Sequence, residues 1–390
     1  MNIKSGYKYR IYLNIEQEAQ LSKQFGATRF TYNYFLRQRI DHYASTGKSQ
    51  TSYDMILILV QLKKQPEFSW LNEAHSQVLQ QVLFDLDKAY HNFFNKHANF
   101  PTFKKKHGKQ SCRFPQGFKV EGKKLYIPKI GWIKIVLHRP IEGKMKNLTV
   151  SRTKSGKYFA SIQVEQEINE PTFEGGQIGI DLGLKDFAVT SDNQHFPTPK
   201  YYRKSEKRLA RLQRRMNKCQ KDSKGREKAR LKVARQHERI ANQRKDFLHK
   251  LSRQLIEDNQ LIVIEDLNVK GMVKNHNLAK SINDAGWSEF VRQLGYKGSW
   301  YGCYIGQIDR FFPSSKRHLK CGFIYEGLTL SERQWWCPDC QEWVDRDVNA
   351  AQNILNWYTV GTTGINADGQ IVRPTSVGSL VEVGSPWAFS

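Results

Sequence analysis

The feature that most constrains this chain is the stretch Ile178–Asp192, IGIDLGLKDFAVTSD, in which one carboxylate interrupts an apolar strand. Small and apolar residues lead up to Asp181, Gly183 permits a tight turn, and strand-forming residues resume at Phe187–Thr190. The stretch therefore predicts two adjacent strands of a hairpin. A buried carboxylate without a partner is costly. Asp181 thus needs a hydrogen-bond partner, a cation or a role in chemistry.

Two later stretches also place an acidic residue at the edge of a predicted element. The sequence LIVIEDL predicts a buried strand that ends at Glu265, and DRDVNAAQNIL places Asp347 at the start of a predicted helix. Each acid has a rival, because Asp266 would face the opposite way from Glu265 and Asp345 lies just before Asp347. Local sequence leaves both alternatives open, since Asp266, Asp345 and Asp347 could each instead cap an element.

We expect Asp181, Glu265 and Asp347 to converge on one site for divalent cations. Carboxylates favour hard cations such as Mg²⁺ or Mn²⁺, which also bind phosphate oxygens. Two such ions about 4 Å apart can activate a water and stabilise the leaving 3′-oxygen of a phosphodiester. The three acids therefore predict metal-dependent hydrolysis of phosphodiester bonds.

A second metal site is predicted by the spacing His318-x2-Cys321-x15-Cys337-x2-Cys340. Two close ligand pairs joined by a longer segment are typical of a zinc ribbon, and three cysteines with one histidine form a tetrahedral ligand set. Four protein ligands leave zinc no open coordination position. This zinc would therefore be structural, and the catalytic metal must lie elsewhere.

The charge balance indicates a polyanionic partner. The 390 residues carry 62 Lys and Arg against 37 Asp and Glu, a formal net charge of +25, which is typical of nucleic-acid binding. The length suits two to four domains. No apolar run approaches the roughly eighteen residues of a membrane span, and the N-terminus lacks the apolar core of a signal peptide. We therefore expect no membrane partner and a cytoplasmic, nucleoid-associated location in a prokaryote.

The first 168 residues predict a helical module inserted into a small β-barrel. Amphipathic periodicity predicts helices at Ile15–Gln38 and from about Ala74 to Lys96. Tyr7–Leu13 alternates as a strand that could join five further short strands. Those five strands are expected at 118–120, 124–127, 132–137, 147–152 and 158–164.

Residues 200–250 are the most basic region, with twenty Lys or Arg against five Asp or Glu. Sparse apolar residues predict two long, mostly polar helices broken near Ser223–Gly225. Charge this one-sided repels itself without counter-ions. A polyphosphate partner is therefore expected along these helices.

These motifs together resemble the TnpB family, whose members are encoded by insertion-sequence transposons. TnpB proteins are RNA-guided nucleases related to type V CRISPR effectors. The similar stretches are IGIDLGLKDFAVTSD, LIVIEDLNVKGM, FFPSSK ahead of the ribbon, and DRDVNAAQNIL. KYRIY, SQVLQQVLFDLDKAYHNFF and FPTFKKK also occur in the family's order. By this resemblance the nuclease is RuvC-like, an RNase H fold, and its acids are Asp181, Glu265 and Asp347.

The resemblance implies an α+β multidomain organisation. It gives a wedge β-barrel at 1–13 and 99–168, a helical recognition module at 14–98, a RuvC-like nuclease at 169–313 and 345–358, an inserted zinc ribbon at 314–344 and a mobile C-terminal tail at 359–390. The basic helical region at 200–256 belongs to the nuclease. The wedge and recognition modules would hold the guide RNA and read a short transposon-adjacent motif.

Candidate nucleic-acid contacts are polar or basic side chains on the helix after Ala74, in and after FPTFKKK, and in the basic region. Interleaved basic and aromatic residues suit backbone contact with base stacking. The candidates are Gln77, Gln80, Gln81, Lys104, Lys105, Ser111, Arg203, Arg211, Arg214 and Arg215.

The implied function is an RNA-guided double-stranded DNA endonuclease of a transposon. Its cofactors would be Mg²⁺ or Mn²⁺, structural Zn²⁺ and a guide RNA from the transposon end, and a monomer is expected in the ribonucleoprotein. The rivals are a catalytically silent RNA-guided DNA-binding regulator and a DNA-strand transferase. The presence of all three acids argues against the silent regulator. One departure is His318, where the family usually has cysteine, although histidine still ligates zinc.

Overall fold

The computed structural model describes residues 2–168, 172, 175–329 and 331–361, and only the backbone of residues 360 and 361. The chain divides into two compact units, with the boundary between residues 169 and 170. Both units combine helices with β-sheet. Within the described ranges, none of the helices is long and apolar enough to cross a membrane.

The first unit is built on one seven-stranded antiparallel sheet. Its strands are β1 (Asn2–Tyr12), β2 (Gln110–Phe114), β3 (Lys119–Glu121), β4 (Lys124–Ile127), β5 (Gly131–Val136), β6 (Lys144–Arg152) and β7 (Tyr158–Glu167). They pair in the order β2-β6-β7-β1-β5-β4-β3. The five predicted strands are confirmed as β3–β7, and β1 joins them as expected, whereas β2 was not predicted.

Alternating side chains of this sheet form the first core. In β1, Tyr7, Tyr9 and Ile11 are buried while Lys8 faces outward, and buried residues of β2 and β4–β7 join the same cluster. Leu21 packs into it from the helical part of the unit. The edge strands β2 and β3 are not paired with each other within the described residues. Closure of the sheet into a barrel therefore stays a prediction.

The helices of the first unit are α1 (Ile15–Thr46), α2 (Ser52–Leu62), a short 3-10 helix (Pro66–Glu73) and α3 (Ser76–Phe94). Helix α1 continues beyond its predicted end because no residue stops it before Gly47, which adopts the left-handed conformation that ends helices (φ 67°). Helix α2 was not predicted. It begins at a capping box formed by Thr51 and Asp54.

The second unit contains a mixed five-stranded sheet and a separate two-stranded hairpin. The sheet consists of β8 (Gly176–Asp181), β9 (Asp186–Thr190), β10 (His195–Pro197), β11 (Asn259–Glu265) and β12 (Tyr304–Ile308), and the hairpin of β13 (Gln334–Cys337) and β14 (Glu342–Asp345). The sheet order is β10-β9-β8-β11-β12. Strands β8, β11 and β12 are parallel, and β9 is antiparallel to β8 and to β10.

The helices of the second unit are α4 (Tyr201–Lys218), α5 (Lys224–Asp258), α6 (Val269–Met272), α7 (His276–Ala285), α8 (Trp287–Tyr301) and α9 (Arg346–Gly361). The predicted pair of basic helices is confirmed as α4 and α5. Ser223 caps α5 because its side chain accepts a hydrogen bond from the backbone nitrogen of Arg226 at 3.1 Å. The predicted tail at 359–390 is wrong at its start, since α9 continues to Gly361. The remainder, 362–390, lies outside the described residues.

The two faces of the mixed sheet pack against different helices. On one face, Ile180 of β8 and Ile264 of β11 join buried residues of α5 and α8. Because side chains alternate along a strand, the residues between them face the other side. There Val263 packs with Ile354 of α9. The sheet therefore lies between α5 and α8 on one face and α9 on the other.

Helix α9 lies directly on β8 because Gly179 has no side chain. A Cβ at this position would collide with the carbonyl oxygen of Ala351 and would lie 2.8 Å from the backbone nitrogen of Leu355. Ala351 itself is fully buried. This close approach fixes the start of α9 beside the end of β8.

Gly179→Ala should destabilise the protein by forcing α9 away from β8. We expect the free energy of unfolding, measured by urea denaturation, to fall by about 1–3 kcal/mol, the usual cost of an overpacked contact. The matched control is Gly295→Ala in α8, where an added Cβ meets no atom within 4 Å. Alanine favours a helix over glycine, so the control should be neutral or stabilising. Equal destabilisation by both substitutions would contradict the close contact.

Candidate active site and zinc-binding cluster

Asp181 and Glu265 lie side by side at the carboxyl ends of two adjacent parallel strands. Ile180 of β8 is paired with Ile264 of β11, and each acid is the next residue along its strand. Since the two isoleucines face α5 and α8, both acids face the side of α9. Both acids are partly exposed. The pair is therefore accessible to an ion or a substrate.

Asp347 joins them from the first turn of α9. Only 13% of its side chain is exposed, and its carboxylate accepts hydrogen bonds from Arg333 Nη1 at 3.0 Å and from Arg346 Nε at 2.8 Å. The Nη1 of Arg346 also donates to the carbonyl oxygen of Glu332 at 2.8 Å. Two guanidinium groups thus hold the Asp347 carboxylate in place.

The three carboxyl groups influence one another electrostatically. Burial raises the pKa of Asp181 to about 8, helped by the negative charges of Glu265 and Asp347 and opposed by Arg346 and Arg333. Burial also raises the pKa of Glu265. These carboxyls repel one another when ionised, so the arrangement is favourable only with a proton or a cation among them. Asp181 thus lies within electrostatic reach of both Glu265 and Asp347, and a shared metal site of the three acids stays a prediction.

The two rival acids have other partners. Asp266 is exposed and accepts a hydrogen bond from Arg310 Nε at 3.0 Å. Asp345 caps α9, since its Oδ1 accepts hydrogen bonds from the backbone nitrogens of Asp347 at 3.1 Å and Val348 at 3.0 Å. Both rivals are thus engaged in structural contacts.

Sequence reasoning missed three polar residues that bind the loop before the ribbon to this site. Ser314 donates a hydrogen bond to Glu265, and its carbonyl oxygen accepts one from Asn353 Nδ2 at 2.9 Å. Asn349 Nδ2 donates to the carbonyl oxygen of Arg317 at 2.7 Å. The sequence did contain a signal for the two asparagines, Asn349 and Asn353. They recur four residues apart among apolar residues on a predicted helix, where buried amides require partners.

The predicted zinc ligands form one cluster. The ligand atoms of His318, Cys321, Cys337 and Cys340 all lie within 4.8 Å of one another. Nδ1 of His318 is 3.2 Å from Sγ of Cys321, which is 3.5 Å from Sγ of Cys337. Ligands of one tetrahedral zinc lie about 3.7 Å apart. The cluster could therefore hold a zinc ion with His318 in place of a fourth cysteine.

The surroundings of His318 suit a metal ligand. Its Nδ1 faces the sulfurs, and its Nε2 lies 3.3 Å from Oε1 of Glu342. A carboxylate behind a ligating histidine fixes the orientation of the ring. Glu342 is itself paired with Lys320 at 2.7 Å. Trp335 is buried beside the cluster and anchors the small hydrophobic core of the ribbon.

The candidate nucleic-acid contacts of the first unit are half-buried or exposed. Gln77, Gln80 and Gln81 are half-buried on α3, and Ser111 is half-buried on β2. Lys104 and Lys105 lie in an exposed loop. The ammonium of Lys104 lies 3.7 Å over the ring of Tyr32, and loss of solvent around it lowers the pKa of Lys104 to about 8. Contact with nucleic acid stays a prediction for all six.

The candidate contacts of the second unit are all exposed on α4. They are Arg203, Arg211, Arg214 and Arg215. Arg203 Nη2 donates a hydrogen bond to Ser281 Oγ at 2.7 Å. Their role in nucleic-acid binding also stays a prediction.

Three family models match the chain. One described as "Probable transposase" (OrfB_IS605) matches residues 161–276, and a Cas12f1-like TNB domain matches residues 287–354. A third, described as a helix-turn-helix domain, matches residues 1–48. Over residues 2–48 the structure has β1 followed by the single helix α1, and no helix-turn-helix is formed in that described range.

Two bacterial relatives extend over nearly the whole chain. A Streptomyces pristinaespiralis protein named "Putative RNA-guided DNA endonuclease" is 39% identical over 377 residues, covering 95% of this chain and 92% of the relative. The Escherichia coli K12 protein "Putative RNA-guided DNA endonuclease InsQ" is 36% identical over 369 residues, covering 90% and 91%. The chain belongs to the TnpB family.

The fold of this TnpB-family chain is also similar to that of a distant protein. The Cas12f1 chain in a cryo-EM structure of a Cas12f1–sgRNA–target DNA complex matches with a TM-score of 0.55 at 13% identity. The match covers 91% of this chain and 99% of the Cas12f1 chain. The mixed α/β fold is thus shared despite the low identity.

The stability of the TnpB-family protein should fall as pH rises through the range in which Asp181 is protonated only in the folded state. The folded pKa of about 8 lies above the ordinary value of 3.8, so folding binds a proton between these values. The free energy of unfolding should therefore decrease from about pH 4 to pH 8 relative to Asp181→Asn, by at most about 6 kcal/mol. Urea denaturation without added divalent cations measures this difference. The control is Asp266→Asn, which should give a curve parallel to wild type, and a parallel curve for Asp181→Asn would contradict the expectation.

Removing the histidine from the ribbon cluster should release zinc. We expect the purified protein to contain one zinc per chain by elemental analysis, His318→Cys to keep it, and His318→Ala to lose it on dialysis against a mild chelator. Cys219→Ser, which alters a cysteine outside the cluster, is the matched control and should retain zinc. Zinc retention by His318→Ala equal to wild type would contradict the four-ligand site.

Proposed function

We propose that this protein is an RNA-guided double-stranded DNA endonuclease of a transposon, in which a RuvC-like nuclease hydrolyses phosphodiester bonds. The observation that carries the proposal is the placement of Asp181 beside Glu265 at the ends of two paired strands and within electrostatic reach of Asp347. Membership of the TnpB family and the names of the bacterial relatives support the dependence on a guide RNA.

The acid set suits Mg²⁺ or Mn²⁺. Three partly exposed carboxyls supply the hard oxygen ligands that these ions prefer. Burial of Asp181, together with the negative charges of Glu265 and Asp347, raises the pKa of Asp181, and a cation would offset this cost. Such ions, when bound, polarise phosphate oxygens and lower the pKa of a bound water, as in two-metal hydrolysis.

Residues of the chain would prepare this site before the substrate arrives. Asp181 must lose its proton to become a ligand. The hydrogen bond from Ser314 fixes the carboxylate of Glu265, and the guanidinium groups of Arg333 and Arg346 fix that of Asp347. Supports of this kind keep ligands in a productive geometry.

The basic helices would carry the nucleic acid. Exposed arginines of α4 offer charges for phosphates, while pairing with the guide RNA would supply most of the sequence choice. The sheet and helices of the first unit would form the wedge and recognition modules. Residues 314–344 would be a structural zinc ribbon within the nuclease. We further propose that the protein is monomeric in the ribonucleoprotein. Cleavage would take place next to a short transposon-adjacent motif on the DNA.

A catalytically silent regulator is less well supported, because the three acids are present and grouped. A strand transferase would have to join DNA ends as well as cut them. Cleavage products with free ends and no joined strands would exclude it.

The guide and the adjacent motif can be tested together. The protein is expressed with its native flanking DNA, the co-purifying RNA is sequenced, and the complex is tested with Mg²⁺ on a plasmid library with randomised flanks. We expect one discrete RNA and cuts beside one enriched motif. RNA without cuts would favour the silent regulator, and the absence of a discrete RNA would contradict guide dependence.

Loss of any one acid should abolish DNA cleavage. Asp181→Ala, Glu265→Ala and Asp347→Ala should each lower the cleavage rate of the guide-RNA complex with Mg²⁺ by at least about 100-fold, because each removes a metal ligand. The content of guide RNA should be unchanged. Undiminished cleavage by Asp181→Ala would contradict the proposal.

The neighbouring acids provide matched controls for this experiment. Asp266→Asn and Asp345→Asn alter carboxylates that are held in structural contacts. Asparagine can still cap a helix, so α9 should be preserved in Asp345→Asn. Asp345→Asn should cleave at the wild-type rate. Asp266→Asn also alters the contact with Arg310 and therefore serves only as a control for folding and guide-RNA content.

A further inference from the structure

The loop Asp309–Pro313, which follows β12, is fixed at both ends to the strand that carries Glu265. Arg310 Nε donates a hydrogen bond to Asp266 at 3.0 Å, and Ser314, directly after the loop, donates one to Glu265. Both acceptors lie at the carboxyl end of β11 or one residue beyond it. The loop therefore spans the edge of the candidate active site.

Contacts also hold the loop between its two attachments. Asp309 Oδ1 accepts a hydrogen bond from the backbone nitrogen of Phe311 at 2.8 Å. The ring of Phe312 packs against Trp357 of α9, with 5.7 Å between ring centroids. Backbone turns of this kind hold a loop in one conformation. The loop thus presents its remaining side chain in a fixed position.

That remaining side chain is Phe311, which is 85% exposed. No aromatic or cation–π contact of its ring occurs among the residues that the structure describes. An exposed apolar residue is unremarkable when it stands alone on a surface. The position of Phe311 differs, because three residues span at most about 10 Å and Ser314, three residues on, contacts Glu265.

Other exposed rings of the second unit have structural reasons. Trp336 and Trp343 face each other across the hairpin, with ring centroids 5.8 Å apart, and such cross-strand pairs stabilise a hairpin. Tyr301 packs under the guanidinium of Arg253 at 3.9 Å. Phe311 has no comparable partner among the described residues, so its ring is available to a ligand.

We infer that Phe311 stacks on an unpaired base of the DNA strand whose phosphodiester lies at Asp181, Glu265 and Asp347. This inference rests on the proposed nuclease function. Every base has a π face, so stacking positions a strand without reading its sequence, which suits an enzyme whose sequence choice is made by a guide. Bases within a duplex are already stacked, so the ring selects single-stranded DNA.

A protein partner fits this surface less well. The ring is flanked by the charged residues Asp309 and Arg310, whereas stable protein interfaces bury large contiguous surfaces. The chemistry around the ring, one flat apolar face three residues from the contact between Ser314 and Glu265, matches a nucleotide at a phosphodiester-cleaving site.

The first test separates an aromatic ring from simple apolar bulk at this position. In the guide-RNA complex with Mg²⁺ and subsaturating DNA, Phe311→Leu should lower the cleavage rate by about five- to a hundredfold, the range of base–aromatic stacking. Phe311→Trp keeps a ring and should remain within about twofold of wild type. The melting temperature and guide-RNA content of both variants should equal those of wild type. Equal rates for Phe311→Leu and wild type would overturn the inference.

The second test asks whether the ring and one base act as a pair. DNA strands that lack a single base, at each position around the cut in turn, are cleaved by wild type and by Phe311→Leu. At one position, loss of the base should slow wild type about as much as Phe311→Leu does and should slow the variant no further. If loss of the base and Phe311→Leu slow cleavage independently at every position, so that their fold-changes multiply, the inference would be overturned.

These outcomes are distinguishable from failure of the proposed function. A wild-type complex that cuts no DNA with Mg²⁺ would contradict the nuclease itself. An active complex in which the ring and the base behave independently would contradict only the role of Phe311. Coupling of Phe311 to a base of the guide RNA, measured with RNA that lacks single bases, would overturn the assignment to DNA.

Discussion

The packing of α9 on β8 at Gly179 is the contact on which the candidate site depends. With no side chain at this position, the helix backbone lies directly against the strand, and the first turn of α9 sits beside the end of β8. Asp347 is thereby held near Asp181, although like charges repel. The hydrophobic core on both faces of the sheet offsets this repulsion. The arrangement is therefore maintained by packing, with a proton on Asp181 that a bound cation would replace.

The candidate zinc cluster and the acids are connected through the same helix. Asn349 and Asn353 of α9 bind the loop that contains Ser314 and leads to His318, while Arg333, just before β13, binds Asp347. A change in the ribbon would therefore reach the carboxylates through short hydrogen-bonded paths. Under the proposed function, this coupling would give a structural zinc an influence on catalysis without contact with the substrate.

Positive and negative charges lie in different parts of the protein. The chain carries a net charge of +25, concentrated in α4 and α5, whereas the candidate active site is a cluster of acids. A polyanion attracted by the helices would be repelled at the acids unless cations screened them. Under the proposed function, electrostatics alone would link nucleic-acid binding to a requirement for divalent metal.

The sequence by itself predicted most of the strands and helices and named the residues of the candidate site. The four residues of the candidate zinc cluster followed from their spacing, and the strand ending at Glu265 followed from a short apolar run, because both signals are local. Only the tertiary structure decided that Asp266 pairs with Arg310 and that Asp345 caps α9. The roles of Ser314 and Phe311 also emerged only there. The direction of a side chain and its partners depend on contacts between segments far apart in the chain, which no local pattern encodes.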